Sequence, residues 1–251
     1  MQKIHVLLKK EELDAQRLEG KVVVVLDILF ATSSIVTALA HGATEVIPTL
    51  DGRAAQEVAK DFPEGSYVLS GELNADTLPG FVHPTPKALL AEGIAGRRLI
   101  YCTTNGTVAL AKSQGAAHVY AAALLNGRAV VEHIVANHPE STILIVCSGS
   151  ADNFNLEDFY GAGYLVSLFR HRLLANAASA VPGDTATHNY SDAALAAELL
   201  HDHCDGLDAL RRARVGRMML ARRLDAEVAF AAQESCFDVV PLLQDGALRP
   251  V

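Results

Sequence analysis

Short apolar runs, each the length of one buried strand, alternate with stretches of helical spacing over the first 150 residues, and this alternation narrows the available folds more than any other feature. The runs lie at about 22–26, 45–49, 67–70, 98–102, 117–122 and 143–147, and the helical stretches near 33–41, 51–60, 106–113 and 126–137. That order predicts an α/β fold, three-layered α/β/α, whose mainly parallel sheet is covered by helices on both faces with right-handed crossovers. Met1-Gln-Lys-Ile-His-Val-Leu-Leu-Lys-Lys10 reads as a further, short edge strand. An echo runs through the pattern: residues 34–47 align without gaps on residues 107–120, with Gly42 and Gly115 73 positions apart. Either a duplication or two ordinary helix–glycine–strand units would look like this.

The last third differs in kind. From Ser191 to Gln233 the chain is rich in Ala, Leu and Arg at helical spacing, broken at Asp205-Gly206, which predicts a helical pair before a short strand near Cys236-Phe-Asp-Val-Val240. Segment 176–190 reads as a loop of small residues. The expected organisation is one α/β domain over residues 1–251, or two closely packed lobes, with half of the residues hydrophobic and able to bury a large core.

Chemistry gathers where the apolar runs end. Leu99-Ile-Tyr-Cys-Thr-Thr-Asn-Gly-Thr-Val-Ala-Leu110 passes from strand-like to helix-like through small polar residues. At such a turn the first helical N–H groups lack partners and the dipole is positive, so a phosphate or carboxylate fits there. The same residues would also serve as a plain capping loop, Thr107 satisfying helix amides. Val22-Val-Val-Val-Leu26 ends in Asp27 and Ala31-Thr-Ser-Ser34, and Ile143-Leu-Ile-Val-Cys147 ends in Ser148-Gly-Ser150 and then Glu157-Asp158. Open α/β sheets bind ligands outside the carboxyl ends of their strands, so these ends are expected to share one crevice.

A formal charge of −8 argues against general binding to nucleic acid or to an anionic membrane, while a small anionic substrate needs only a local positive potential. The N-terminal apolar stretch is broken by charge too soon for an export signal and no run is long enough to span a bilayer, so a cytoplasmic location is expected. Cys102, Cys147, Cys204 and Cys236 are scattered, which suits reduced thiols. The arginines at 211, 212, 214, 217, 222 and 223 are interleaved with Asp208, Asp225 and Glu227, which suits a solvated, ion-paired helix better than a nucleic-acid surface. An apolar helix face leaves room for a homodimer.

Familiar catalytic motifs are incomplete. Asp27 with Thr32 five residues on is similar to the nucleophile turn of aspartate-based phosphatases, but the second acid of such enzymes is replaced by Leu29. Neither Cys102 nor Cys147 is followed by an Arg that would activate a thiol. His201-Asp-His-Cys204 has the composition of metal ligands but not one helical face. Asp27, Glu72 in Ser70-Gly-Glu-Leu-Asn74, and Glu157-Asp158 remain, hard oxygen ligands suited to Mg²⁺ or, equally, strand-end and helix-capping acids.

In this order, Asp27…Ala31-Thr32, Gly71-Glu72, Thr103-Thr-Asn-Gly-Thr107, Gly149…Phe154-Asn-Leu-Glu-Asp158 and Asp238-Val-Val-Pro241, the chain resembles the 2-phosphosulfolactate phosphatase family of the coenzyme M pathway, often called the ComB family, nearly end to end. The resemblance implies a ComB-like α/β/α fold, Mg²⁺ dependence and hydrolysis of phosphate monoesters of 2-hydroxy acids. It implies catalytic acids Asp27, Glu72, Glu157 and Asp158, with Asp27, Glu72 and Asp158 as metal ligands. It points to Thr32, Phe30, Leu73, Asn74, Thr103, Thr104, Asn105, Gly106, Thr107, Val108, Ser148, Gly149 and Ser150 as the substrate-facing set. Whether Asp27 acts as nucleophile or as ligand stays open.

Departures from the family pattern are coherent. Phe30, Leu73 and Val108 stand where the family usually carries Arg, Asn153 replaces an acid, and His83-Pro-Thr-Pro86 replaces an Asn-Ser-Pro element. Guanidinium forks are the strong way to hold phosphate, carboxylate and sulfonate together. Their loss predicts an altered, more apolar rim and a less anionic or partly apolar substrate, with His83 as one cation at low pH. The alternative is a divergent member that binds a small ligand or catalyses another reaction.

Overall fold

The computed structural model describes residues 2–176 and 190–251. The loop expected at 176–190 therefore falls almost wholly outside the described residues. One ten-stranded sheet carries the fold, in the order β1-β8-β2-β7-β9-β10-β3-β6-β4-β5. Its strands are β1 (Lys3–Leu7), β2 (Val22–Leu26), β3 (Glu45–Thr49), β4 (Tyr67–Leu73), β5 (Asp76–Thr77), β6 (Arg98–Cys102), β7 (His118–Ala122), β8 (Thr142–Cys147), β9 (Pro241–Gln244) and β10 (Ala247–Pro250).

Two parallel blocks make up this sheet, β1-β8-β2-β7 and β3-β6-β4. The antiparallel β9–β10 hairpin joins them, pairing with β7 on one side and β3 on the other. Each block takes strands from both halves of the chain, and the two halves repeat one plan. In the first half β2 leads through α1 (Ala31–Ala40) to β3, then through α2 (Gly52–Ala59) to β4. In the second, β6 leads through α4 (Gly106–Lys112) to β7, then through α5 (Gly127–Asn137) to β8. Register repeats as well: Leu26 faces Ala122 and Cys147, and its counterpart Cys102 faces Thr49 and Gly71. The echo is thus a repeat of topology and register, not of sequence alone. Its glycines differ, since Gly42 ends α1 at φ +87° whereas Gly115 needs no positive φ.

The VVVVL run forms a strand because β-branched residues suit a pleated surface buried on both sides. Val22, Val24 and Leu26 pack into one core, and Val23 and Val25 into the other. Against the second core lie Ile35 and Leu39 of α1 and Leu110 of α4, with Leu89 of α3 (Pro86–Ala91). Helices α5 and α6 (Leu156–Asn176) cover the opposite face of the first block, and α2 that of the second, which completes three layers. Helix α1 is buried although it carries four hydroxyl residues, because those hydroxyls find backbone acceptors: Ser33 on Ile28, Ser34 on Pro84 and Thr37 on Ser33 at 2.7–2.8 Å, and Thr32 on Asp27.

The C-terminal layer departs from expectation. Instead of a helical pair there are four helices, α7 (Asp192–His203), α8 (Gly206–Arg212), α9 (Arg214–Ala221) and α10 (Asp225–Ala231). The break at Asp205 is capped as its residue type predicts, its side chain accepting from Asp208 N at 2.9 Å. The other breaks, at Ala213 and at Arg222–Leu224, are set by packing and carry no Gly or Pro signal. Residues 236–240 are not a strand; the strands lie further on, in a hairpin turned by Asp245 and Gly246 at φ +50° and +80°. No helix among the described residues is long and apolar enough to cross a membrane.

Candidate active site

The turns after β2 and β6, equivalent positions of the two halves, are locked by the same device. Asp27 N–H donates to the Thr32 hydroxyl at 3.0 Å, which returns a bond to Asp27 O. Thr103 N–H likewise donates to the Thr107 hydroxyl at 3.1 Å, which donates to Thr103 O at 2.9 Å. Thr32 and Thr107 are therefore turn locks, buried and turned from solvent. The two turns meet face to face. A Cβ on Gly106 would lie 2.5 Å from Ala31 Cβ and 2.7 Å from Asp27 Oδ2, so the N-termini of α1 and α4 touch only because residue 106 is glycine.

Around this contact a cavity of about 260 Å³ opens. Its walls come from strand ends of both halves: Asp27 after β2, Glu72 and Asn74 at β4, Thr103, Thr104 and Asn105 after β6, and Ser150 after β8. Leu29, Phe30, Val215 and Met218 supply an apolar wall. Of Phe30, Leu73 and Val108, only Phe30 faces the cavity. Leu73 points outward, 58% exposed, and Val108 is half-buried on α4, outside the lining. His83 is half-buried against Phe30 and its pKa is lowered by burial, which does not favour a cation there.

The four acids divide into two held and two free. Asp158 accepts Ile28 N–H on Oδ1 at 2.9 Å and Gly149 N–H on Oδ2 at 3.1 Å, stitching the β2 and β8 ends together. Glu72 accepts Thr104 N–H at 2.6 Å, the Thr104 hydroxyl at 3.1 Å and Ala75 N–H at 2.5 Å, fixing the β6 loop. Asp27 shows no such side-chain clamp beyond the first-turn Ala31 amide. Both Glu157 oxygens are buried without a partner. Burial above all raises the pKa of Asp27, with the Asp158 and Glu72 charges adding to it. Burial raises Glu157 and Asp158 too, Asp27 opposing ionisation of the first and Glu157 of the second.

Two cations near the site escaped the sequence reading. Lys10, buried, donates to Asn105 Oδ1 at 3.0 Å and Ser148 O at 3.1 Å. Its signal was a Lys pair at the end of β1, a fourth polar strand end. Arg214 lines the cavity and bonds Ser150 Oγ and Asn155 Oδ1, but in the sequence it is one arginine among six. Ser148 holds Lys10 through its carbonyl, and Gly149, at φ +62°, turns its amide onto Asp158. Cys102 and Cys147 are buried, with pKa raised mainly by burial, as inert thiols are.

Among the described residues, no three His, Cys, Asp or Glu side chains form a ready-made metal cluster, at 201–204 or elsewhere. Asp158 in particular has both oxygens committed to amides. A surplus of buried negative charge and the unpartnered Glu157 oxygens still suit a hard cation, and Mg²⁺ is commonly held by one or two carboxylates with water and a substrate phosphate.

Fold and cavity together define a class: an α/β protein in which two strand-end turns set carboxylates against a loop rich in hydroxyls and amides. Residues 7–246 match the model of the family described as 2-phosphosulpholactate phosphatase, and the chain belongs to that family. It is 34% identical over 235 residues to a probable 2-phosphosulfolactate phosphatase of Symbiobacterium thermophilum, covering 92% of this chain and 95% of the relative. A protein of the same description from Deinococcus radiodurans is 35% identical over 227 residues, 90% of this chain and 88% of the relative. One from Clostridium beijerinckii is 29% identical over 247 residues, 98% of each.

Proposed function

We propose that this chain is a Mg²⁺-dependent phosphatase acting on the phosphate monoester of a small 2-hydroxy acid, in a pocket altered towards apolar contacts. The observation that carries the reading is the meeting of Asp27 with the Thr103-Thr-Asn loop at two helix N-termini inside one cavity. The names of the relatives support it.

In this reading the phosphate sits between the α1 and α4 N-termini, against the Thr103–Asn105 loop. Glu72 and Lys10 position that loop and do not react; Asp158 positions Asp27 by holding the next amide, Ile28 N–H. Asp27 is the reacting carboxylate, as nucleophile or as ligand, and Asp27 with Glu157 would hold Mg²⁺. Bound Mg²⁺ would supply neutralisation of the phosphoryl charge. Leu29, Phe30, Val215 and Met218 exclude water from the acid's side and accept its apolar part.

Phosphate release from a panel of phosphorylated 2-hydroxy acids, including 2-phosphosulfolactate and 2-phospholactate, tests the proposal with Mg²⁺ or EDTA. Turnover that needs Mg²⁺, disappears in Asp27→Ala and falls in Glu72→Ala is expected, with 2-phospholactate preferred. No release by folded protein from any member of the panel would overturn it, leaving the ligand-binding reading.

A further inference from the structure

We infer that Arg214 is the specificity-determining residue that binds the substrate's carboxylate; the inference rests on the hydrolase reading above. Arg214 is the one cationic side chain among the described residues lining the cavity. It does not come from a strand end. It opens α9 in the C-terminal layer and reaches in over the β8 end, whereas the proposed phosphate loop follows β6.

Its guanidinium is aimed. Nη2 donates to Ser150 Oγ and, at 3.3 Å, to Asn155 Oδ1, and these two acceptors are buried and bonded to each other at 2.8 Å. Nε and Nη1 make no hydrogen bond among the described residues, and no carboxylate there lies within ion-pair distance of the guanidinium, although its charge reaches the buried Glu157 and favours that carboxylate's ionised form; other arginines of the layer have direct partners. A cation anchored through one nitrogen with its other donors free loses little freedom when an anion arrives. Val215 and Met218, on the same helix, place apolar surface beside it in the cavity. That pairing suits a carboxylate whose neighbouring substituent is apolar. A second strong anion such as a sulfonate would find no further guanidinium, since Leu73 and Val108 lie outside the lining and Phe30 stands within it.

The phosphate ester of lactate and isopropyl phosphate differ by a carboxylate against a methyl group, and comparing them isolates the contact. With Mg²⁺ present, Arg214→Gln is expected to lower kcat/KM for 2-phospholactate roughly 10- to 100-fold and to leave isopropyl phosphate within about twofold. Arg214→Lys should recover part of the loss, since it keeps the charge without the fork. An equal loss on both esters would overturn the inference, because Arg214 would then serve the phosphate or merely hold Ser150 and Asn155. Thermal melting of each variant separates that last case. If the wild-type protein hydrolyses neither ester, the hydrolase reading fails on its own, and titration calorimetry with 2-phospholactate decides the contact. Binding weakened at least tenfold in Arg214→Gln sustains it; unchanged binding, or none to the wild-type protein, sinks it.

Discussion

The halves β2-α1-β3-α2-β4 and β6-α4-β7-α5-β8 share order, register and the hydroxyl lock of their first turn, yet they contribute opposite chemistry to the cavity. The first ends its strands in Asp27 and Glu72. The second ends its strands in Thr103, Thr104 and Asn105, and in Ser148 and Ser150, which carry no charge. A repeated backbone brings two helix N-termini together, and the strand-end residue types then differ: Asp27 and Glu72 on one side, hydroxyls and amides for an anion on the other, with the buried acids Glu157 and Asp158 set further on, at the start of α6. Because Glu72 of the first half is bonded to Thr104 of the second, the two sides are one mechanical unit.

The largest effect should separate Asp27 from its counterpart Thr103. Asp27→Asn keeps the shape of the side chain but removes its charge, and should lower kcat/KM for the preferred ester about 10³-fold or more. Thr103→Val should lower it only about tenfold, since main-chain amides and the helix dipole remain. Steady-state phosphate release on both variants, with melting curves as the fold control, reads the contrast. Equal losses would mean that the halves are chemically as well as structurally equivalent.

Next in size is the contact between the halves. Gly106→Ala would drive a methyl group into Ala31 Cβ and Asp27 Oδ2, neither of which is the far end of a flexible chain. A cost of about 1–3 kcal/mol is expected, together with lost activity from a displaced Asp27. Ala31→Gly, the matching position of α1, relieves contact and costs about 1 kcal/mol of helix propensity. Urea unfolding compares them; a Gly106→Ala protein as stable and active as wild type would show that the turns do not meet closely.

What was legible in the sequence follows the range of the interactions. Period and β-branching depend on near neighbours, so β2, β3 and β6 fall at 22–26, 45–49 and 98–102 as expected, and α2 and α5 within a residue or so. Asp27 and the Thr103–Thr107 run were visible because both lie at strand ends. The roles of Asp158 and Glu72 were not, because a clamp is defined by amides supplied from elsewhere: Ile28, 130 residues from Asp158, and Thr104, 32 residues from Glu72. Arg214 was hidden for the same reason, its partners lying 59 and 64 residues away. The breaks in the C-terminal layer were illegible because Gly216 packs against Leu210 O and Leu224 caps α10 without the usual capping chemistry. The terminal strand expected near 236–240 was placed too early, and the Asp245-Gly246 turn that joins β9 to β10 was not read.

The smallest effect sharpens the comparison at the level of single carboxyl groups. Glu72, which lines the cavity, and Glu157, which lies outside its lining, are 8% and 1% exposed, but Glu72 accepts from three donors whereas neither Glu157 oxygen has a hydrogen-bond partner. Burial raises Glu157 from 4.5 to about 7, so between those values the folded chain binds more protons there than the unfolded chain. Stability from this group is complete below about pH 4.5 and is lost as pH rises towards 7. Glu157→Gln abolishes the titration, so in EDTA its unfolding free energy should fall less steeply between pH 5 and 8 than that of the wild-type protein, by on the order of 1 kcal/mol over the range. Glu72→Gln should instead be destabilised throughout, because an amide cannot accept on both atoms where the carboxylate does. Parallel pH curves for Glu157→Gln and wild type would mean that Glu157 has a partner in solution, and the division into held and free acids would then fail.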